Sequence, residues 1–229
     1  MAAGKKFVFF DIDGTLVLTN GAGKEALRVA LRDEFGVTDP NVEIDYGGRT
    51  DRSIAKELFD LNQVPALTEN FLSLYQSYLR ELREHLPKSR GVMLPGVLEL
   101  LTRLQDDGQV GIGLLTGNIE EGAFAKLAHF QIDRYFAFGG YGDHHEARDD
   151  IARECLLKAE THAGHKIHGE QVFVIGDTPH DVTCSRAIGA RCIAVCTGYA
   201  PRESLLAAEP EILIDDMSET EALIDIIYR

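Results

Sequence analysis

Residues 6–15 read KFVFFDIDGT, an apolar run that ends in two aspartates and a glycine. Two further apolar runs end in the same abrupt way: residues 110–118 read VGIGLLTGN, and residues 172–181 read VFVIGDTPHD. Each run has the length of a buried strand, and helical patterns lie between the second and the third. Strands that alternate with helices form a parallel sheet covered on both faces. The three polar ends are therefore expected at one edge of the sheet, where open α/β folds bind ligands.

The stretch between the first two runs has a different pattern. From residue 17 to residue 92, apolar residues such as Leu27 and Leu31 recur at helical spacing, and no strand alternates with these helices. We therefore predict an α/β fold with a Rossmann-like parallel-sheet core from residues 1–16 and 93–229, and an all-helical cap from residues 17–92 inserted after the first strand. The remaining core strands are predicted near Tyr135–Phe138, Cys192–Val195 and Ile212–Ile214.

Composition limits the partners and the location of the chain. The formal net charge of −14 argues against nucleic acid or an anionic membrane as a partner, because either needs a basic surface. No apolar run is long enough for a signal peptide or a membrane span. The four cysteines lack the paired spacing of a zinc site, so we expect buried, reduced thiols and a cytoplasmic protein. The oligomeric state is left open.

Four aspartates belong to the expected sheet edge. Like charges at such short distances cannot all stay ionised unless a cation joins them or some of them take protons. A hard divalent ion with oxygen ligands resolves the conflict, and magnesium is the usual ion where a phosphate is a co-ligand. It would also supply the local positive charge that an acidic protein needs to bind a phosphate. The predicted Mg2+ site comprises Asp11, Asp13, Asp177 and Asp181.

The spacing of the first motif suggests separate chemical roles. Asp11 and Asp13 cannot point the same way if the strand stays extended, so one can lie in line with a phosphorus atom while the other leans toward the leaving oxygen. We predict that Asp11 attacks and forms an aspartyl-phosphate, and that Asp13 protonates the leaving alkoxide and later deprotonates water. Thr116 and the amides around Gly117 and Asn118 are expected to bind the phosphoryl oxygens.

The pairing of residues 11–15 (DIDGT) with residues 176–181 (GDTPHD) resembles the haloacid dehalogenase superfamily. The inserted helices resemble its phosphoglycolate-phosphatase-like subgroup, and the resemblance covers essentially the whole chain, with Thr116 matching the second motif. It implies hydrolysis of a small phosphate monoester, with phosphoglycolate the family-level expectation. It also implies a magnesium ion held by Asp11, the backbone carbonyl of Asp13 and Asp177, with Asp181 nearby.

The third motif departs from the family pattern, which places a lysine just before the helix that leads to the fourth-motif strand. Residues 143–150 read DHHEARDD here, and Arg148 is the best match by position. Arginine keeps the charge but replaces a compact ammonium with a wide planar fork. Lys158 and Lys166 are poorer substitutes, because one lies well inside the expected helix and the other past its end.

Residues 47–50 (GGRT) resemble the substrate-facing cap loop of the family, which makes Arg49 a candidate substrate contact. Two other functions remain open. A sugar-phosphate mutase shares the nucleophile but lets the bound intermediate turn round, and a phosphate-sensing or scaffold protein has lost turnover. The missing lysine favours the scaffold, whereas the intact aspartates oppose it. A haloacid dehalogenase is disfavoured, because such an enzyme lacks the acid/base residue that Asp13 provides.

Overall fold

The computed structural model describes residues 5–229; residues 1–4, which begin the predicted core segment 1–16, lie outside the described part. The strands are β1 (Lys6–Phe10), β2 (Val17–Leu18), β3 (Val92–Met93), β4 (Val110–Leu115), β5 (Phe138–Gly140), β6 (Val172–Gly176), β7 (Arg191–Val195) and β8 (Ile212–Ile214). Six of them form one parallel sheet in the order β5-β4-β1-β6-β7-β8. This confirms the predicted α/β class.

Helices cover the sheet and fill the insertion between β1 and β4. They are α1 (Ala22–Phe35), α2 (Asp51–Leu61), α3 (Thr68–His85), α4 (Val97–Asp107), α5 (Glu120–His129), α6 (Arg148–Ala163), α7 (Pro179–Arg186), α8 (Arg202–Ala207) and α9 (Thr220–Tyr228). Along β1 the side chains alternate: Val8 and Phe10 pack toward α4, α5 and α9, whereas Phe7 and Phe9 pack toward α6, and all four are fully buried. Burial on both faces explains why the run KFVFF is continuously apolar.

The register of the central strands aligns the polar ends. Phe10 pairs with Leu114 of β4 on one side and with Ile175 of β6 on the other. The three strands end within one residue of these positions, so the polar residues that follow them leave the sheet at one edge, as the repeated pattern of an apolar run and a polar end predicts.

The helical insertion, residues 17–92, has a hydrophobic cluster of its own. Leu31 of α1, Leu58 and Phe59 of α2, and Leu74 of α3 are fully buried in it. The prediction of an all-helical segment is wrong at its two ends, because β2 and β3 pair antiparallel there. Each strand has only two residues, too few to give a periodic signal in the sequence. The division into core and cap stays a prediction.

Two further expectations need correction. The strand predicted near Tyr135–Phe138 begins only at Phe138, because Tyr135 ends a short 3₁₀ turn that buries its ring beneath the sheet. Three cysteines are buried free thiols, but Cys196 is partly exposed, because β7 ends at Val195. Among residues 5–229, no helix combines the length and the apolarity that crossing a bilayer requires.

Candidate active site

The residues that follow β1 and β6 form a buried acidic centre. The carboxylates of Asp11, Asp177 and Asp181 each offer an oxygen within 4.8 Å of the others, and all three residues are buried. Burial raises the pKa of Asp11 to about 6. Burial, reinforced by the charges of Asp181 and Asp11, raises the pKa of Asp177 well above its ordinary value. These shifts express the cost of holding several carboxylates together away from water.

Gly14 makes the close approach of the first and fourth motifs possible. It adopts the left-handed region, with φ of +87°, and a Cβ atom there would collide with the carboxylate of Asp177. Thr15 then donates a hydrogen bond of 2.8 Å from its hydroxyl to Asp177 Oδ1. Gly14 and Thr15 thus fix the spacing between Asp11 and Asp177.

Arg148 is the cation of the acidic centre. It is the first residue of α6, and its Nη2 lies 3.3 Å from Asp11 Oδ2 and donates to Asp181 Oδ1. Burial opposes the charge, but the carboxylates of Asp11 and Asp181 raise the pKa of Arg148 above its ordinary value. Within residues 5–229 its Nε is buried without a hydrogen-bond partner. A buried donor without a partner is costly, which favours a site that receives an additional acceptor.

Asp181 is bound from two sides. The amide and hydroxyl of Thr178 donate to its Oδ2 at 3.0 and 2.7 Å, in the capping arrangement that begins α7. Its Oδ1 accepts from Arg148. The carboxylate therefore orients the guanidinium, with both oxygens already engaged.

Asp13 leaves the strand in a different direction from Asp11, as the spacing predicts. Its carboxylate is not part of the acidic centre; Oδ2 instead accepts from Lys126 Nζ at 2.5 Å and from Asn118 Nδ2 at 2.9 Å. The side chain of Asp13 is 42% exposed, whereas that of Lys126 is only 6% exposed. Asn118 also donates to Thr116 Oγ1 at 2.8 Å and accepts from Lys126 at 2.6 Å. The second motif thus contacts Asp13 through the side chain of Asn118.

The helical insertion lies directly against this edge. A Cβ at Gly117 would collide with the backbone oxygen of Arg49, so only glycine allows so close an approach. Asp51, at the start of α2, donates its amide to Gly117 O at 2.7 Å and accepts from the amide of Ile119 at 2.8 Å. Backbone of the insertion therefore contacts the loop that carries the second motif.

The guanidinium of Arg49 is engaged within the insertion. It forms an ion pair with Glu57 and donates to the carbonyl oxygens of Asp45 and Ser53 at 3.1 and 3.2 Å. The backbone of Arg49 thus lies at the edge of the site, whereas its guanidinium pairs with the carboxylate of Glu57. A direct contact between Arg49 and substrate stays a prediction.

The two alternative lysines lie elsewhere. Lys158 pairs with Glu154, and Lys166 pairs with Glu160, on or beyond α6. Sequence reasoning missed two other residues, Lys126 and Asp51. A signal for Lys126 was present, because it occupies the apolar stripe of α5 between the buried Ala123 and Leu127. A lysine in such a position needs a buried partner.

Comparison with known proteins finds relatives that are named as phosphatases. A "Probable phosphatase IndB" from Dickeya dadantii is 28% identical over 216 residues, which cover 94% of this chain and 91% of the relative. A "Phosphoglycolate phosphatase" from Pseudomonas syringae pv. tomato is 28% identical over 225 residues, covering 94% and 79%. The crystal structure of CbbY from Rhodobacter sphaeroides in complex with phosphate has the same fold, with a TM-score of 0.75, 18% identity, and coverage of 93% and 95%.

The family model for haloacid dehalogenase-like hydrolases matches residues 8–195, a span that runs from the first acidic motif through the insertion and past the fourth. The acidic centre between β1 and β6 lies within this span. The chain therefore belongs to the haloacid dehalogenase-like hydrolase family, as the pairing of its two aspartate motifs predicts.

Proposed function

We propose that the chain is a magnesium-dependent phosphatase that hydrolyses a small phosphate monoester through an aspartyl-phosphate on Asp11. The observation that carries the proposal is the division of the first motif: Asp11 lies buried beside a guanidinium, and Asp13 lies two residues on with a partly exposed carboxylate. A nucleophile and a separate acid/base are what the two halves of such a hydrolysis need. The relatives named as phosphatases support this class of reaction.

The acidic centre fits a magnesium ion. Its donors are hard carboxylate oxygens, and the charge of Arg148 alone does not balance Asp11, Asp177 and Asp181. We assign the ion to Asp11, Asp177 and the backbone carbonyl of Asp13, with Asp181 acting through Arg148. The Asp13 carboxylate is left out, because it contacts Lys126 instead. When bound, magnesium supplies the positive charge that keeps these carboxylates ionised and draws the phosphate toward Asp11.

In the first half-reaction, a carboxylate oxygen of Asp11 attacks phosphorus and the bond from phosphorus to the ester oxygen breaks. Asp13 gives its proton to that leaving oxygen, so an alcohol departs and the phosphoryl group stays on Asp11. Arg148, with its unpartnered buried Nε, is the side chain we assign to the negative phosphoryl oxygens.

In the second half-reaction, Asp13 accepts a proton from water while the water oxygen attacks phosphorus. The bond between phosphorus and Asp11 breaks, inorganic phosphate leaves, and Asp13 is protonated again for the next substrate. Thr116 and the amides of Gly117 and Asn118 are assigned to the same phosphoryl oxygens. The side chain of Asn118 already serves Asp13, so we restrict its assignment to the backbone.

The helical insertion is proposed to act as the cap that selects the leaving group. Its contacts through Arg49 and Asp51 with the loop at Gly117 support this role, because a cap over this edge would limit the space for an alcohol. A small phosphorylated metabolite, such as phosphoglycolate or a sugar phosphate, suits this arrangement. Exclusion of water during transfer would protect the aspartyl-phosphate.

The test is turnover of an aryl phosphate by metal-stripped protein before and after magnesium is added back. We expect turnover to be negligible in chelator and restored by magnesium. Full activity in excess chelator refutes the metal assignment, and inactivity of the magnesium-loaded protein on a panel of phosphate esters refutes the phosphatase. Release of inorganic phosphate from a hexose phosphate, with no isomeric hexose phosphate formed, separates hydrolysis from mutase chemistry.

A further inference from the structure

Lys126 is a buried cation to which neither half-reaction assigns a part. It lies on the face of α5 that packs toward the sheet, where its neighbours Ala123 and Leu127 are fully buried. Removing an ammonium group from water costs several kcal/mol unless close partners offset it. An apolar side chain would fill the same place without that cost, so the position is better explained by its partners than by packing.

Those partners form a directional network. Lys126 Nζ contacts Asp13 Oδ2 at 2.5 Å and Asn118 Oδ1 at 2.6 Å. The amide nitrogen of Asn118 donates to Asp13 Oδ2 and to Thr116 Oγ1. A flipped amide would set its NH₂ group against the ammonium and its oxygen against the carboxylate. The network therefore allows one orientation of Asn118.

Both donors converge on the same oxygen of Asp13. Lys126 and Asn118 both donate to Oδ2, whereas none of the described residues donates to Oδ1. The Lys126 side chain that binds Oδ2 is 6% exposed, whereas the side chain of Asp13 is 42% exposed. Oδ2 is therefore held by a buried donor, and Oδ1 has no donor among the described residues. The two oxygens of one carboxylate are thus made different by their surroundings.

We propose that Lys126 is a positioning residue that anchors Asp13 through Oδ2, so that Oδ1 is the oxygen that exchanges a proton with the leaving group and with water. The proposal rests on the acid/base role of Asp13 proposed above. Lys126 does not touch the substrate. It fixes the side-chain rotation of Asp13, and the position of the transferred proton follows from that rotation.

The test compares leaving groups, because a general acid matters most when the leaving alkoxide is strongly basic. Lys126→Met keeps the length of the side chain and removes the charge. The rate constant for release of the alcohol is measured in single turnovers with magnesium. We expect this variant to lower that rate constant about 100-fold on an alkyl phosphate and less than about 5-fold on p-nitrophenyl phosphate. The apparent affinity for either substrate should change less than about threefold. Lys166→Met, at an exposed lysine paired with Glu160, is the matched control and should behave as wild type.

Equal losses on the two substrates would overturn the positioning role. If Lys126→Met fails to fold, Lys126→Arg keeps a buried charge but displaces the carboxylate, and it should show the same selective loss on the alkyl phosphate. A second readout is a double variant: once Asp13→Asn is present, adding Lys126→Met should cost less than about twofold on the alkyl phosphate. If the rate losses of the two single substitutions instead multiply in the double variant, the proposal is contradicted. A wild type that releases no alcohol at all refutes the proposed function as well, whereas an active wild type with equal losses refutes only this inference.

Discussion

Two aspartates separated by one residue meet two different cations in this site. Asp11 is buried with Asp177 and Asp181 and shares Arg148 with Asp181, whereas Asp13 is partly exposed and pairs with Lys126. The first environment concentrates charge and leaves a buried donor without a partner. The second satisfies one carboxylate oxygen and leaves the other without a donor among the described residues. In the mechanism proposed above, one strand end thus supplies both a nucleophile and a proton carrier: the backbone turns them apart, and each pairs with its own cation.

The sharpest way to break this comparison is to neutralise the nucleophile. Asp11→Asn should lower turnover at least about 10⁴-fold, because a neutral amide cannot form the acyl-phosphate. The fold should survive, since burial already raises the pKa of Asp11 and the amide removes a buried charge. Turnover of an aryl phosphate and thermal unfolding in chelator check the two parts.

Residual turnover within about tenfold of wild type would show that Asp11 is not the nucleophile. A large loss accompanied by unfolding would leave the fold, not the chemistry, as the cause. Asp11→Ser serves as a second variant for that case, because serine also lacks the carboxylate.

Removing the cation of the nucleophile half should have the next largest effect. Arg148→Ala should lower turnover about 10²- to 10³-fold, since the guanidinium lies 3.3 Å from Asp11 and is assigned to the phosphoryl oxygens. Arg148→Lys should restore part or all of this loss, because an ammonium supplies the same charge. Arg153→Ala is the matched control: it lies on the same helix, is exposed and pairs with Asp150.

A rate for Arg148→Ala within about twofold of wild type would mean that another cation holds the phosphate. A crystal structure of the protein with a phosphate analogue tests the same assignment directly. The guanidinium must reach both Asp11 and an oxygen of the analogue, and a guanidinium that binds only Asp181 would contradict the assignment.

The sequence predicted the nucleophile half more completely than the acid/base half, and the reason is physical. Asp11 and Asp177 directly follow apolar strands, so parallel pairing alone brings them to one edge. Arg148 begins the helix before the second of these strands, and it could be located by its place in the order of the family's motifs. Local patterns and one topological rule located the two aspartates, whereas Arg148 was located through the resemblance to the family.

The acid/base half depends on side-chain directions that no local pattern specifies. Lys126 reaches Asp13 across 113 residues, from within a helix that periodicity describes as apolar. For the same reason, the sequence does not show where the guanidinium of Arg49 points. Its ion pair with Glu57 depends on the side-chain rotamer that Arg49 adopts within the insertion. The two-residue strands at residues 17–18 and 92–93 were also missed, since closure of a long insertion is a tertiary effect.

Asp51, at the start of α2, contributes a charge from the insertion to the surroundings of Lys126. Its carboxylate is enclosed by protein at the contact with Ile119, although the residue as a whole is partly exposed. Burial raises its pKa to about 6 from 3.8, even though the charge of Lys126 and the amide of Ile119 act to lower it. The insertion thus adds a second carboxylate to the surroundings of Lys126, in which Asp13 is the directly bonded one.

The smallest expected effect follows from this raised pKa, through the pH dependence of stability. Between the unfolded and folded pKa values, the folded state holds more protons than the unfolded state, so the free energy of unfolding falls as pH rises. From pH 4.5 to 7.5 this one group should destabilise metal-free wild type by at most about 2 kcal/mol. Asp51→Asn keeps an oxygen for the Ile119 amide and lacks the ionisation, so it should not show that part of the decrease.

Urea unfolding of both proteins in chelator at the two pH values measures the difference. Asp143→Asn is the matched control, because Asp143 accepts the next amide, from Glu120, at the surface. The free energy of unfolding of Asp51→Asn, relative to that of wild type, should increase as pH rises. The corresponding increase for Asp143→Asn should be smaller. A gain for Asp51→Asn no larger than the control's would mean that the carboxylate is not desolvated at the contact. Among the described residues, Lys126 would then have Asp13 as its main nearby counter-charge, and the ammonium would be bound more exclusively to the acid/base residue.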